Sequence, residues 1–260
     1  MMNAVIMTER SAEGKERRTE ASQRLLAGIA GAMCLINILC GFFAIGYVPA
    51  AIVVSGDAAA TARNILAHES LYRLGIAAHV IGLLTNIPLM VIFYELFKAV
   101  NRRLSLLVVC FLLVGTAIEG AYLLNQFTPL ILLQGGASVS ELTAAQLQAQ
   151  ISTPLALLAI GYSLAQVFYV GYLLLTGYLI VRSTFLPRIL GVLLAFGGVC
   201  YLFYSFAAFL SPEFAAHLVP YIQAPSGIGE LALCLWLLVV GVNGRQLKEQ
   251  ASAAGAPVGM

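Results

Sequence analysis

Glu119 lies in a run from Leu104 to Leu133 that holds no other charged side chain. Its neighbours in the stretch Thr116 to Gln126 include Tyr122 and Asn125. A charged side chain at the centre of a hydrocarbon layer costs about 2.5–3.5 kcal/mol on insertion scales. Such a group must face other helices, find donors, or hold a proton. His79 and Glu230 also sit in apolar runs. With 1.5 Å of rise per residue, Glu119 falls roughly 15 Å, His79 roughly 12 Å and Glu230 roughly 6–9 Å below the same end of their helices. Asn37, Tyr162, Tyr201 and Ser205 fall in the same half of three further helices. These seven residues form the candidate ligand-binding set, a polar layer with a pocket opening outward. The chemistry is binding a small polar or cationic ligand, with proton exchange coupled to it.

Blander roles exist for each residue. Glu119 can serve as a hydrogen-bonded tie between helices, His79 as a satisfied core histidine, and Glu230 as a carboxylate wetted near the surface. The tyrosines can be packing or interfacial anchors. Three ionisable residues at similar depth on three helices favour the functional reading. Two carboxylates and one histidine could also do acid–base work or complete a metal site. The chain has no H-E-x-x-H and no G-x-S-x-G, so no catalytic residue is named and no metal or cofactor is expected. Binding or transport ranks first, an accessory protein whose polar layer only fixes packing second, and an intramembrane enzyme third.

The elements that position these residues follow from composition. Of 260 residues, 60% are hydrophobic and only 10% are charged. Mean hydropathy is +0.92, and a soluble domain carries about 25% charged residues. The expected class is all-α: a polytopic membrane protein with six spans at 25–47, 71–100, 104–133, 154–181, 189–210 and 226–242. Each offers close to the 20 apolar residues a crossing needs. They make one domain over 24–243, between a polar tail at 1–23 and a disordered tail at 244–260. The lipid bilayer is the principal partner, and a net charge of +2 is too small to imply nucleic acid. The five cysteines fall in apolar runs without a C-x-x-C and read as small hydrophobes.

Local signals refine this layout. Ala27-x-x-x-Gly31 and Gly28-x-x-x-Ala32 offer small-residue faces for close helix contact. Asp57 caps a short interfacial helix, and Glu69 pairs with Arg73 at i,i+4. Pro88 predicts a kink, with Thr85 and Asn86 near the freed backbone. Thr143-Ala-Ala-Gln146 is a capping box for a second interfacial helix, with Leu142 and Leu147 as its staple. Thr153-Pro154 predicts a fresh start for the fourth span.

Lysine and arginine set the orientation. Arg10, Lys15, Arg17, Arg18 and Arg24 lie in the N-terminal tail, and Lys98, Arg102 and Arg103 between spans 2 and 3. Arg182 and Arg188 lie between spans 4 and 5, and Arg245 and Lys248 in the C-terminal tail. Only Arg63 and Arg73 remain for the opposite side, so both termini are expected in the cytosol.

Three stretches carry a family resemblance: Gly56 to Ala67, Leu186 to Leu194, and Gly229 to Val242. With the six-span layout they resemble a family of bacterial integral membrane proteins defined as a domain of unknown function, over roughly residues 25–243. The resemblance implies a protein of the bacterial plasma membrane and carries no activity, substrate or cofactor.

Overall fold

The computed structural model describes the backbone of residues 2–134, 143–253 and 255, and side chains from residue 21 onward except 134, 144, 147 and 148. Every element among the described residues is helical. Helix α1 (Met2–Gly41) runs through a wider π-type segment, Phe42–Tyr47, into α2 (Val48–Ile52). Then follow α3 (Ala58–Ala67), α4 (Glu69–Leu123), a 3₁₀ turn at Leu124–Gln126 and α5 (Phe127–Gln134). The second half comprises α6 (Ala144–Arg182), α7 (Arg188–Leu210), α8 (Pro212–Leu218), α9 (Ala224–Val239) and α10 (Gly244–Ala253).

Helix α4 is broken at Asn101, whose backbone is extended (φ −158°, ψ 109°). The Asn101 side chain accepts from the Leu104 amide at 3.0 Å and so caps the second limb. Bonds across α4 pair Ser105 with Tyr94, Asn86 with Thr116 and His79 with Glu119. Each pair is nearly equidistant from Asn101, so limbs 69–100 and 102–123 lie antiparallel. By length and composition, four helices could cross a membrane: Ala21–Ile52, Glu69–Leu133, Ala149–Arg182 and Arg188–Leu210. A fifth appears if α9 and α10, bent by 106° at their junction, count as one broken span. The expected six separate spans are therefore not resolved as six. Glu69–Leu133 is a continuous stretch of 65 residues, and α9, at 16 residues, is about 24 Å long, short of a hydrocarbon core of about 30 Å.

The exterior is apolar. Leu39, Phe42, Leu84, Val91, Ile131, Ile189 and Leu210 are each more than half exposed, a surface suited to hydrocarbon rather than water. The largest buried apolar cluster surrounds the Asn101 end of the bundle. It joins Phe93 and Phe97 of α4 to Leu173 and Ile180 of α6, Leu194 of α7, and Leu233 and Leu237 of α9. The opposite end holds a smaller cluster of Val48, Ile52, Ile65, Tyr72, Ile76 and Leu130.

Several local expectations hold. Asp57 caps α3, accepting from the Ala60 amide at 2.8 Å. The ion pair of Glu69 and Arg73 closes at 2.7 Å. The Thr143 capping box forms; its Leu142–Leu147 staple lies outside the described residues. Gly31 provides the close approach in α1. A Cβ there would stand 2.8 Å from Leu238 of α9, and Cys234 Sγ lies 3.3 Å from the Gly31 carbonyl, whereas Gly28 meets nothing within 4 Å.

Others are corrected. No separate helix precedes the fourth span, because α6 runs unbroken through Pro154. A proline forfeits one ladder bond, and the packing along the rest of this 39-residue helix carries it through. The chain is helical on both sides of Pro88. Thr85 bonds the Gly82 carbonyl at 2.6 Å and Asn86 bonds Thr116, so neither serves the carbonyl of Leu84. Residues 244–253, expected to be disordered, form α10, which buries Leu247 and Ala251 against the main cluster. Gln250 tethers it, donating to the Arg182 carbonyl at 3.2 Å and accepting from the Thr184 amide at 3.0 Å.

Helices α6 and α7 touch backbone to backbone. A Cβ on Gly177 would stand 2.6 Å from the Gly191 carbonyl, and one on Gly191 would overlap the Gly177 carbonyl. Gly191→Ala should therefore destabilise by about 1–3 kcal/mol, as overpacking does. Gly120→Ala, which meets nothing within 4 Å, should gain roughly 0.5–1 kcal/mol from helix propensity. Equilibrium unfolding in mixed micelles checks both, and equal effects would contradict this packing.

Candidate functional site

Two limbs of α4 and helix α6 meet at Glu119. His79 Nε2 lies 2.9 Å from Glu119 Oε1, with His79 3% and the Glu119 side chain 14% exposed. The Tyr169 hydroxyl donates to Glu119 Oε2. This arrangement gives each carboxyl oxygen one hydrogen-bond partner from a different helical segment. Two glycines allow it. A Cβ on Gly115 would stand 2.9 Å from the Tyr169 ring, and one on Gly161 would overlap the Cβ of Tyr122. Glycine at 115 thus lets Tyr169 lie flat on limb 102–123 and reach Glu119 one turn away. Glycine at 161 lets Tyr122 pack against α6, where its ring sits 6.0 Å from His79. The Tyr122 hydroxyl is in electrostatic range of Glu119 yet makes no hydrogen bond of good geometry.

Beside this cluster is a half-open cavity of about 290 Å³. Ala44, Ile45, Val48, Pro49 and Val53 form one wall, Gly75 and Ile76 a second, and Leu155, Leu158 and Ala159 a third. The polar lining consists of Tyr72, His79, Tyr122, Gln126 and Tyr162. Tyr72 donates to the Gln126 carbonyl at 3.0 Å, and Tyr162 to Gln223 at 3.4 Å. His79 Nδ1, the Tyr122 hydroxyl and Gln126 Oε1 are buried without a partner. The cavity opens where Ile45, Val53 and Ala159 are exposed, so its rim is apolar. A polar pocket was expected; the space is apolar with a polar floor.

The seven expected site residues separate into groups. His79 and Glu119 meet, and Tyr162 joins them at the cavity. Asn37 belongs to a network of its own. Its Nδ2 lies 2.9 Å from the Gly82 carbonyl, 3.2 Å from Thr85 Oγ1 and 3.0 Å from Asn86 Oδ1, and Asn86 passes the network to Thr116 at 3.0 Å. This ties α1 to both limbs of α4. Ser205 turns inward only to bond the Tyr201 carbonyl on its own helix at 2.9 Å. Glu230 does not line the cavity. It faces Cys34, Tyr162, Tyr169, Tyr172 and Tyr201 at electrostatic range, and no hydrogen bond to its carboxyl is found among the described residues. Among the described residues no group of three or more His, Cys, Asp or Glu could hold a metal ion. Tyr169, Tyr122 and Gln126 were not in the expected set. The i, i+4, i+7 recurrence of Tyr162, Gln166 and Tyr169 is the signal that one face of α6 is polar.

Removing one member of a buried pair strands the other. His79→Ala should destabilise by about 3–5 kcal/mol. Glu119→Gln should cost less, since its amide oxygen still accepts from Tyr169. The double variant should be more stable than His79→Ala alone, because no stranded carboxylate remains. Mixed-micelle unfolding of all three checks this, and simple additivity would show that the pair is not coupled.

A family model described as "Domain of unknown function (DUF4386)" matches residues 29–241. No curated protein and no solved structure matches the chain. The matched region contains His79, Glu119, Tyr169 and all the cavity-lining residues. The protein belongs to the family of this domain of unknown function, DUF4386.

Proposed function

We propose that this is an integral protein of the bacterial plasma membrane that crosses it six times, with both termini in the cytosol. The reversal at Asn101 supports counting Glu69–Leu133 as two crossings, and α9 is the sixth despite its length. Lysines and arginines cluster at the Asn101 turn, the 183–187 turn and both termini, which supports the orientation. Reporter fusions after residues 103, 186 and 253 should read as cytosolic, and an insertion at 138 as external. A cytosolic reading at 138 would overturn this topology.

The protein's function is to bind a small molecule with an apolar body and a polar end. One observation carries this reading: a cavity with apolar walls is lined at its polar part by His79, whose Nε2 pairs with Glu119 behind it. Sites for small molecules combine apolar lining with a few placed polar groups. At about 290 Å³, the space equals that of roughly ten waters in the liquid, so the part of the ligand held inside is small. The apolar rim at Ile45, Val53 and Ala159 suits entry from the bilayer rather than from water. Binding, rather than an accessory role, is favoured because a purely structural polar layer would leave no hollow beside it.

Ala159→Trp and Ile45→Trp narrow the cavity from two of its walls without replacing a polar lining residue. Mass spectrometry of protein purified in mild detergent should find a small amphipathic compound on the unaltered protein, near one per chain. Both variants should lose it while remaining folded. Equal amounts on all three proteins would rule the cavity out as the binding site.

A further inference from the structure

The cavity's lining residues recur at one spacing. On the first limb of α4 they are Tyr72, Gly75, Ile76 and His79; on α6 they are Leu155, Leu158, Ala159 and Tyr162. Each set steps i, i+3, i+4, i+7, which is a stripe along one helix face for two turns. At 1.5 Å of rise per residue such a stripe is roughly 10 Å long. The stretch from Ala44 to Val53 borders the same space. Tyr72 meets the Gln126 carbonyl at one end, and the rings of His79 and Tyr122 lie 6.0 Å apart at the other. The hollow is therefore a slot running with the helix axes. Ile45, Val53 and Ala159 are exposed while Gly75 and Ile76 are buried, so the slot opens along its side.

What the slot presents is carbon. His79 Nδ1, the Tyr122 hydroxyl and Gln126 Oε1 have no surface that a water molecule could touch. The hydroxyls of Tyr72 and Tyr162 are engaged by the Gln126 carbonyl and by Gln223. Water needs about two to four polar partners to settle in a cavity, and this lining does not supply them. Left empty, the lining atoms would forfeit their dispersion contacts. An apolar cavity of about 150 Å³ holds one benzene, six carbons. The slot, at about 290 Å³, has room for roughly ten to twelve carbons by that measure. Spread along its length, they fit a single chain.

We propose that the occupant is one acyl chain of a bilayer phospholipid, which enters sideways and lies along the slot with its head group outside the protein. This rests on the cavity-binding reading and gives its ligand a class. Spanning helices stand on average roughly 20° from the bilayer normal. Acyl chains follow the same normal, so a chain beside the opening is already aligned with the slot. Lipid tails are as apolar as the lining, so fit decides occupancy, not escape from water. No Lys, Arg, Asp or Glu lines the slot, so nothing in it selects a head group.

Photolabelling in vesicles of phosphatidylethanolamine and phosphatidylglycerol tests this. A trace of either lipid carries a mid-chain diazirine, and labelled residues are mapped by mass spectrometry. Val48 and Ile76 are 4% and 6% exposed, so label on them comes from within the slot. Leu84, 58% exposed on the same limb as Ile76, reports ordinary contact with lipid. Val48 and Ile76 should be labelled along with Leu84, by both lipids alike. Ala159→Trp and Ile45→Trp, each alone, should lose the label at Val48 and Ile76 and keep it at Leu84. Three results would each overturn the acyl-chain assignment: label at Leu84 only, label in the slot from one lipid but not the other, or slot label that survives both substitutions. Octanol carrying a diazirine separates such a failure from failure of the cavity reading. If it labels Val48 and Ile76 in the unaltered protein and not in the Trp variants, the cavity binds small molecules and only the acyl chain is excluded. If neither the lipids nor the octanol label either residue, both readings fall.

Discussion

The structure depends on how one carboxyl group is accommodated inside an apolar bundle. Glu119 is nearly enclosed, and its two oxygens are met by His79 from one limb of α4 and Tyr169 from α6. His79 is buried and Tyr169 half-buried, so water reaches this contact only if the bundle opens. The geometry of three helical segments is therefore fixed at one point. Lipid offers no hydrophobic drive between apolar helices, so close packing and polar contacts of this kind decide how they pair.

That constraint divides the bundle into two unlike halves. Toward the Asn101 turn, large side chains interleave: Phe93 and Phe97 sit against Tyr172 and Phe185, and α10 closes the end by inserting Leu247 and Ala251. Backbone-to-backbone contact at Gly177 and Gly191 tightens the same half. In the other half the polar clusters hold the helices at fixed points, and a smaller apolar cluster around Ile52, Ile65 and Ile76 packs between them. The cavity lies between these fixed points. The wider turn at Phe42–Tyr47 adds to it, since Ala44 and Ile45 both reach the cavity wall.

The polar groups do not act as one layer, and the reason is angular. Residues at similar depth on neighbouring helices meet only if they also point the same way around their own axes. His79, Thr85 and Asn86 lie on one limb, yet His79 turns toward Glu119 while Thr85 and Asn86 turn toward Asn37. Asn37 thus became a tie between helices, and His79 part of the cavity lining. Glu230 faces tyrosines of α6 and α7 and does not line the cavity, though its depth matches that of the others.

Much was legible from residue order alone. Apolar runs without charge imply helices of crossing length, and the scarcity of polar side chains makes each buried one conspicuous; Glu119 and His79 stand out for that reason. Caps such as Asp57 and Thr143 were readable because they are local hydrogen bonds between residues three apart. Tertiary structure alone decided the rest. Whether Pro154 starts a helix or sits inside one depends on packing along the whole of α6. The role of Tyr169 depends on Gly115 across the interface, a contact between residues far apart in the chain. The cavity exists only where three elements fail to touch, and a gap between helices leaves no mark on any one of them.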